Sequence, residues 1–361
     1  MEKMVTNHKF WKDKTVLLTG HTGFKGSWLS LWLQTLRAKL IGYSLRPPTE
    51  PNLFTLAKVN EGMISLEGDV RDLNHLVDVT YKYKPEILIH MAAQPLVRLS
   101  YQEPVDTYST NVMGTVNVLE AARRIGCVKA VLIVTSDKCY ENKEWLWGYR
   151  EDEPMGGFDP YSSSKGCAEL VTAAYRRSFF HESNVGIASA RAGNVIGGGD
   201  FAVDRIIPDI MRGIINNETI KIRSPHAIRP WQHVLEPLSG YLLLVERLYS
   251  DPSKYAEAWN FGPRESDCRP VSFLVEAISS GWGEPIKWEI AEESGPHEAT
   301  FLKLECSKAR SKLAWSPQYD ITRAINETIA WYKNFKIGKQ NIKNFTLAQI
   351  DSFLSPECDN S

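Results

Sequence analysis

The chain reads TVLLTGHTGFKG at residues 15–26, where a short apolar run leads directly into three evenly spaced glycines. An apolar, helix-like segment at residues 27–37 follows. Glycines at such a strand-to-helix turn let the backbone approach a diphosphate, whose charge is met by the N–H groups and dipole of the next helix. An ordinary glycine-rich turn is the alternative interpretation, but the position between strand and helix favours a dinucleotide site.

The first half of the chain alternates β-rich runs with helix-like segments. The β-rich runs are residues 15–19, 39–44, 63–66, 87–91, 130–135 and 186–190, and the helix-like segments are 27–37, 73–83, 111–125 and 163–180. Strands that alternate with helices predict a parallel sheet covered on both faces. Continuously apolar runs such as VLIV at 131–134 are typical of strands buried on both faces. We therefore expect an α/β fold with a Rossmann-type, doubly wound parallel sheet.

The regular alternation ends after about residue 190, where glycine and proline become frequent. This change predicts a dinucleotide-binding domain at 1–190, with a return segment at 230–262. A smaller C-terminal substrate-binding domain then comprises residues 191–229 and 263–345. From about residue 341 we expect a terminal helix or a frayed tail, with 346–361 assigned as the tail.

Composition excludes several classes of protein. The 361 residues contain 42 Lys and Arg against 43 Asp and Glu, a balance that gives no broad basic surface for nucleic acid. The six cysteines lack metal-ligand spacing, so no metal site is predicted. Neither a signal peptide nor an apolar run long enough to span a membrane is visible, so we expect a cytoplasmic protein.

Tyr161 and Lys165 are four residues apart, so on one helix their side chains lie on the same face. An ammonium near a phenol favours phenolate and lowers its pKa from about 10 towards the operating pH. Tyr161 could then remove a proton from an alcohol as hydride leaves to a nicotinamide cofactor. A tyrosine and a lysine also occur at this spacing by chance, but Ser136 at the end of the fifth strand completes a plausible catalytic set.

These motifs together resemble the extended short-chain dehydrogenases/reductases, and the resemblance extends over nearly the whole chain. It implies an NAD cofactor and contacts at the glycine loop and the strand ends. The cofactor residues so implied are Gly20, His21, Thr22, Gly23, Phe24, Lys25, Gly26, Arg46, Asp69, Val70, Ala92, Ala93, Gln94, Asn111, Thr135, Tyr161 and Lys165.

The residues alone leave NAD and NADP open. NAD-binding proteins usually carry an acid at the end of the second strand, where it holds the ribose hydroxyls. Here the second strand ends GYSLR at 42–46, without an acid. Arg46 could hold a 2′-phosphate, which would favour NADP, or it could be a solvated loop residue. The family resemblance favours NAD.

The stretch TSDKCY at 135–140 is the most informative departure from the family. Sugar-nucleotide dehydratases of the family usually have Thr-Asp-Glu here, as the acid and base of water elimination. This chain keeps Asp137 and has Lys138 in place of the Glu. That pattern, with WLWGYR at 145–150, RAGNVIGGGD at 191–200 and RPWQHV at 229–234, resembles the dehydratases that act on CDP-glucose.

The resemblance implies conversion of CDP-glucose to CDP-4-keto-6-deoxyglucose. The steps would be transient oxidation at carbon 4 by NAD, elimination of water across carbons 5 and 6, and hydride return to carbon 6. The implied catalytic residues are Ser136, Asp137, Lys138, Tyr161 and Lys165. Lys138 could be the carbon-5 base or could stabilise the enolate, and a local Asp137–Lys138 ion pair is the alternative without chemistry.

The substrate diphosphate needs cations, and arginine forks suit phosphate bidentately. The implied substrate residues are Gln94, Arg98, Asn194, Arg205, Arg229 and Trp231. Arg191, Arg212 and Arg223 lie in the same stretch, although the last two could be solvated surface charges. Trp231 and Phe201 could stack on a base, but aromatic residues in such a context belong more often to the core.

Two other functions stay open. A sister epimerase or reductase would share most of these motifs, but Asp137 argues against it. A non-catalytic NAD(P)-sensing regulator often loses the tyrosine or lysine, and both Tyr161 and Lys165 are present. The resemblance further implies a homo-oligomer, a dimer or tetramer, that pairs through the helices bearing Asn111 and Tyr161, and a place in dideoxyhexose synthesis for surface polysaccharide.

Overall fold

The computed structural model describes residues 7–283, 286–291, 299–338 and 341–355. Its centre is a seven-stranded parallel sheet in the order β3-β2-β1-β4-β5-β6-β11. The strands of this sheet are β1 Thr15–Thr19, β2 Lys39–Ser44, β3 Ile64–Glu67, β4 Ile87–His90, β5 Ala130–Val134, β6 Gly186–Ala192 and β11 Ala258–Phe261. The predicted Rossmann-type sheet is confirmed.

Three two-stranded pairs lie outside the central sheet, one of them antiparallel. They are β7 Val195–Ile196 with β10 Gln232–His233, β8 Ile220–Ile222 with β13 Trp288–Ile290, and β9 Ile228–Pro230 with β12 Cys268–Pro270. The described helices are α1 His8–Trp11, α2 Phe24–Thr35, α3 Leu53–Leu56, α4 Leu73–Tyr83, α5 Val97–Gln102, α6 Pro104–Tyr108, α7 Gly114–Ile125, α8 Pro160–Phe179, α9 Ile206–Asn216, α10 Leu235–Ser250, α11 Pro252–Tyr255, α12 Val271–Trp282, α13 Ile321–Ile337 and α14 Ile342–Leu354.

The central sheet is buried on both faces. In β1, Val16 and Leu18 belong to one core cluster, whereas Leu17 between them belongs to the cluster on the opposite face. Successive side chains of a strand point to opposite faces, so an uninterrupted apolar run is what two covered faces require. Burial on both faces therefore explains why the strands of the central sheet are continuously apolar in sequence.

The starts of two helical segments that carry predicted site residues can be compared with the sequence. Asp159 caps α8 by accepting a hydrogen bond from the Ser162 N–H at 2.9 Å, and Pro160 fills the first helical position. Asn111, expected to open a helix, lies instead in the π-helical turn Ser109–Met113 just before α7. That turn continues from α6, so the helical region begins earlier than the apolar pattern predicts.

The end of the described chain is packed helix and not a tail. Residues 346–354, assigned to a tail, belong to α14, whose Ile350 and Phe353 are buried in the main core. Trp32 of α2 meets Phe353 edge to face with ring centroids 5.8 Å apart. Residues 356–361 lie outside the described part of the chain. Among the described helices, none combines the length and apolar character that crossing a membrane requires.

Candidate active site

A cleft of about 1300 Å³ lies along the carboxyl ends of the central strands. Ligands of open parallel sheets bind at this edge because the strand-to-helix loops converge there. The cleft exceeds the roughly 300–1,000 Å³ of a single small-molecule pocket, so it has room for two ligands side by side. Of the site residues predicted from the sequence, all line this cleft except His21 and Asn111.

The glycine loop fits a dinucleotide diphosphate. Gly20 has φ +78°, and a Cβ there would lie 2.6 Å from the backbone N of Ala92. A Cβ at Gly26 would lie 2.0 Å from the carbonyl oxygen of Gly20. α2 begins directly after Gly23, and no side chain caps its first turn. The N–H groups of that turn are therefore placed to meet an anion in the cleft.

His21 and Asn111 have buried structural contacts instead. His21 is fully buried, its Nε2 lies 2.7 Å from the Ser65 hydroxyl, and burial lowers its pKa to about 4. Asn111 accepts from the Gln94 N–H at 2.9 Å and donates to the Ser164 hydroxyl at 2.8 Å. Asn111 thus joins the loop after β4 to α8 through its side-chain amide.

The adenosine end of the cleft is lined by residues that follow β2 and β3. Ser44 ends β2, and its hydroxyl lies 2.9 Å from that of Thr22 in the glycine loop. Asp69 is held by the Arg71 guanidinium at 2.7 Å, which keeps the pKa of this carboxyl below its usual range. Arg46, just after β2, forms an ion pair with Glu67 on the neighbouring strand β3.

Tyr161 and Lys165 lie on the same helix, α8, and both are buried, as the spacing predicted. Lys165 Nζ donates to the Val134 carbonyl at 3.4 Å, which ties it to the end of β5. The expected lowering of the phenol pKa is wrong for the chain alone. Burial raises the pKa of Tyr161 to about 12, with Asp137 acting in the same direction, and the contact with Ser136 only partly opposes this.

Asp137 is buried and incompletely bonded. Its Oδ1 accepts from the Ser136 hydroxyl at 3.0 Å, whereas its Oδ2 has no hydrogen-bond partner among the described residues. Burial raises the pKa of this carboxyl, although the charges of Lys138 and Arg229 oppose the shift. A buried carboxyl with one open oxygen is suited to donate a proton to a ligand hydroxyl.

Lys25 also faces the reacting end of the cleft. Its Nζ donates to the Tyr241 hydroxyl at 3.3 Å. Burial lowers its pKa to about 7, and the charges of Lys165 and Arg205 act in the same direction. Lys165 itself has its pKa lowered to about 8 by burial. Positive charges are thus concentrated where anionic ligands would enter.

The predicted substrate arginines also line the cleft, and acids hold two of them. Arg205 pairs with Asp200 at 2.9 Å, and Arg98 lies 3.7 Å from Asp204. Arg229 donates to the Ile228 carbonyl at 3.0 Å. Asn194 lines the cleft too, in the loop between β6 and β7.

Other residues of the same stretch have structural contacts. Arg191 pairs with Glu169 away from the cleft, and Arg212 pairs with Asp209. Trp231 is 3% exposed and its Nε1 donates to the Arg269 carbonyl at 2.9 Å. Phe201 packs against the Trp331 ring. These contacts favour the core interpretation of both aromatic residues, although each borders the cleft.

Sequence reasoning missed Glu169 and Tyr241. Glu169 is four residues beyond Lys165 and eight beyond Tyr161, so it lies on the same face of α8, and this spacing could have revealed it. Its carboxylate accepts hydrogen bonds from Thr135, Ser189 and Arg191. Tyr241 lies in an unremarkable apolar helix, and no pattern in the sequence indicates its contact with Lys25.

Comparisons with known proteins agree with this geometry. A family model described as GDP-mannose 4,6 dehydratase matches residues 17–328. A CDP-glucose 4,6-dehydratase of Salmonella typhimurium (strain LT2) is 56% identical over 335 residues, which are 91% of this chain and 93% of that protein.

Two solved structures illustrate the shared fold. UDP-glucose 4-epimerase of Thermotoga maritima, with UDP-glucose, has a TM-score of 0.77 and 19% identity over 89% of this chain and 99% of its own. The dTDP-glucose 4,6-dehydratase of Bacillus anthracis, in complex with NAD, has a TM-score of 0.72 and 21% identity over 89% of this chain and 97% of its own. Because the family model spans most of the chain and the Salmonella relative is 56% identical over 91% of it, the chain belongs to the GDP-mannose 4,6-dehydratase family of the extended short-chain dehydrogenases/reductases.

Proposed function

We propose that the protein is an NAD-dependent hydro-lyase that converts CDP-glucose to CDP-4-keto-6-deoxyglucose and water. The observation that carries this proposal is the buried carboxyl of Asp137, with an open oxygen among the described residues, next to Ser136 and close to the Tyr161–Lys165 pair. An epimerase needs no acid to expel a hydroxyl, whereas a 4,6-dehydratase does. The 56% identity to the Salmonella CDP-glucose 4,6-dehydratase supports the substrate.

The cofactor is held by the glycine loop and by the residues that follow β3 and β4. Gly20 and Gly26 let the loop pack closely against Ala92 and against its own backbone, and Asp69 and Ala92 line the same cleft. When bound, NAD supplies a hydride acceptor, a hydride donor later in the cycle and a positive charge within the cleft. The enzyme therefore needs no second reductant.

Tyr161 takes the proton of the carbon-4 hydroxyl as that carbon becomes a ketone. In the chain alone, burial keeps this phenol protonated, so positive charge is needed to favour phenolate. Lys165, one helical turn further on α8, supplies part of that charge. Ser136 positions the reacting oxygen through its own hydroxyl.

Asp137 acts as the general acid of the elimination. Once carbon 4 is a ketone, the proton on carbon 5 becomes acidic and the bond to the carbon-6 hydroxyl can break. Because its pKa is raised, the Asp137 carboxyl holds a proton more readily than an exposed aspartate. It delivers that proton to the carbon-6 hydroxyl, which leaves as water.

Lys138 takes the carbon-5 proton and later returns it. The residue borders the cleft in the 3-10 turn Asp137–Cys139, where related dehydratases have glutamate. Its backbone N–H donates to the Ser136 hydroxyl at 3.2 Å, so the base, acid and serine share one rigid turn. The competing role is that Lys138 stays charged and stabilises the enolate.

The substrate diphosphate binds to the predicted substrate arginines that line the cleft. Arg98, Arg205 and Arg229 present guanidinium groups to the cleft, and such groups bind phosphate bidentately. Asn194 and Gln94 contact the sugar or the nucleotide, with Gln94 already ordered by its bond to the Thr107 hydroxyl at 2.9 Å. Trp231 forms the floor of this region.

Two further observations support a proposed assembly and location. Large apolar side chains are exposed on α6, the adjoining turn and α8, namely Val105, Met113 and Leu170 at 79%, 50% and 58% exposure. Such exposure supports a homo-oligomer that pairs through these helices. The five described cysteines are unpaired, which supports a cytoplasmic enzyme.

A panel of nucleotide sugars tests the function. Purified enzyme is incubated with CDP-, dTDP-, GDP- and UDP-glucose, and the 4-keto product is measured by the near-ultraviolet absorbance that it develops in alkali. We expect turnover with CDP-glucose at least about 100-fold above the others, since the loss of base-specific contacts commonly costs this much or more. Formation of a CDP-hexose epimer without loss of water would refute the dehydratase.

A further inference from the structure

The cofactor cleft lacks the acid that NAD enzymes usually place at the end of β2. β2 ends at Ser44, and the ribose hydroxyls of NAD are commonly held by a carboxylate near this point. Directly across from Ser44 in the sheet register is Glu67, the last residue of β3. The neighbouring strand therefore brings a carboxylate next to this corner, although Glu67 itself does not line the cleft.

Glu67 engages the cation that could otherwise receive a 2′-phosphate. Arg46 lines the cleft, and its Nε donates to both carboxylate oxygens of Glu67 at 3.1 Å. The two side chains are 83% and 61% exposed, so water would satisfy both of them if the pair did not form. The ion pair therefore adds little to the free energy of unfolding. Its effect is on the charge that a bound ligand would meet.

The other charges of this corner are already paired. Asp69 is bound by Arg71, which also contacts Asp106 at 3.2 Å. Thr22 and Ser44 contribute only neutral hydroxyls that contact each other. Arg46 thus brings a positive charge to the edge of the cleft just after β2. Its hydrogen bonds to Glu67 set the orientation of the guanidinium group.

We infer that Glu67 sets the preference for NAD over NADP by holding Arg46 and by placing a negative charge beside the site of a 2′-phosphate. A 2′-phosphate would gain a bidentate contact with the Nε edge of the Arg46 guanidinium only by displacing Glu67 from Nε. It would also meet the repulsion of the exposed carboxylate. The ribose hydroxyls of NAD suffer neither penalty, and a carboxylate can accept their hydrogen bonds.

The test compares cofactor affinity in the full-length protein. Bound NADH is displaced by NAD⁺ or NADP⁺, and the loss of NADH fluorescence gives the ratio of the NADP⁺ to the NAD⁺ dissociation constant. Glu67→Gln should lower this ratio at least about fivefold, the size expected of one partly screened charge contact. Glu61→Gln is the matched control, because Glu61 is a similarly exposed acid that pairs with Lys58 and Lys343, neither of which lines the cleft, whereas the partner of Glu67, Arg46, does.

Adding Arg46→Gln to Glu67→Gln separates recognition by Arg46 from a general change of charge. The double variant should lose the gain in NADP⁺ affinity. A ratio that changes less than fivefold in Glu67→Gln, or a gain that persists in the double variant, overturns the inference. The inference relies on the NAD cofactor and not on the sugar nucleotide, and because binding is measured without turnover, its failure would leave the dehydratase proposal untouched.

Discussion

The Glu169 carboxylate accepts a hydrogen bond from Arg191 Nη2 at 2.8 Å, and each side chain is only 4% exposed. This ion pair lies beneath the catalytic helix, one turn beyond Lys165, and joins α8 to β6. Thr135, at the end of β5, donates to the same carboxylate. The pair therefore connects the two segments that carry the proposed acid and the proposed tyrosine base.

Breaking this pair should destabilise the protein strongly. Arg191→Met leaves a buried carboxylate without its counter-charge, which costs about 3–5 kcal/mol in comparable cases. Urea unfolding measures the loss, and Arg310→Met is the matched control, because Arg310 pairs with Glu305 at the surface at a similar distance, 2.9 Å, and should matter far less. Equal losses in the two variants would contradict the structural role.

The same pair predicts a dependence of stability on pH. Burial alone would raise the pKa of Glu169, but Arg191 and the hydroxyl donors hold it below its usual 4.5. A carboxyl with a lowered pKa contributes stability above its unfolded pKa, and that contribution is lost as the pH falls below about 4.5 towards the folded value. The free energy of unfolding should therefore fall more steeply with acidification in the wild type than in Glu169→Gln.

Tyr161→Phe should abolish turnover while keeping the fold and the cofactor. The change removes one hydroxyl, and general bases of this kind contribute about 10²–10⁴-fold. Turnover is measured with CDP-glucose, and NADH binding is measured by fluorescence. Tyr81→Phe is the control, because Tyr81 is 67% exposed on α4 and does not line the cleft. A loss below about 100-fold would be too small for the principal base.

Lys25→Ile should stabilise the cofactor-free protein. A cation in the first turn of a helix opposes the helix dipole by a few tenths to about 1 kcal/mol, and the neighbouring Lys165 and Arg205 charges add to the repulsion. Because the pKa of Lys25 is lowered to about 7 from 10.5, the cost of its charge is greatest below pH 7 and is relieved as the pH rises towards 10.5. The stabilisation should therefore be larger in urea unfolding at about pH 6 than at about pH 10.

The contact with Tyr241 provides the control for Lys25. Tyr241→Phe removes the acceptor of the Lys25 hydrogen bond but leaves the charge in place. It should not reproduce the gain of Lys25→Ile. Unchanged or lower stability of Lys25→Ile at the acidic pH would instead indicate that solvent screens this ammonium fully.

The fold was predictable because its pattern is regular. Strands such as β1 and β5 are continuously apolar and lie inside the sheet; β1 has the predicted bounds, and β5 begins as predicted and ends one residue earlier. β3 begins at Ile64, one residue later than expected, because it is the edge strand and most of its side chains are exposed. The position of Asn111 was missed for a different reason, since a π-helical turn leaves no periodic signal.

The lining of the site was predictable from topology, but its electrostatics were not. Residues after parallel strands converge at one edge, so Asp69, Ala92 and Asp137 could be grouped without coordinates. The raised pKa of Tyr161 depends on how deeply the phenol is buried, which spacing on a helix does not reveal. Likewise, the Arg46–Glu67 contact depends on the register of β2 against β3.

Lys138→Met tests the least conventional part of the proposed mechanism. If Lys138 is the carbon-5 base, the variant still oxidises carbon 4, because Tyr161 and Lys165 are intact. Mixing it with CDP-glucose should therefore give the absorbance of bound NADH, without exchange of the carbon-5 hydrogen for solvent deuterium. Mass spectrometry of the recovered sugar nucleotide measures that exchange. The loss of overall turnover should be about 10²–10⁴-fold, as for other acid–base groups.

Asp137→Asn is the matched variant for this experiment, because it removes the acid from the same turn and leaves Lys138 in place. It should exchange the carbon-5 hydrogen while failing to release water. Deuterium incorporation at the wild-type rate in Lys138→Met would show that another group takes the proton and that Lys138 stabilises the enolate. Loss of the NADH signal in Lys138→Met would instead assign Lys138 to substrate positioning, because the first oxidation would then fail with the Tyr161–Lys165 pair unchanged.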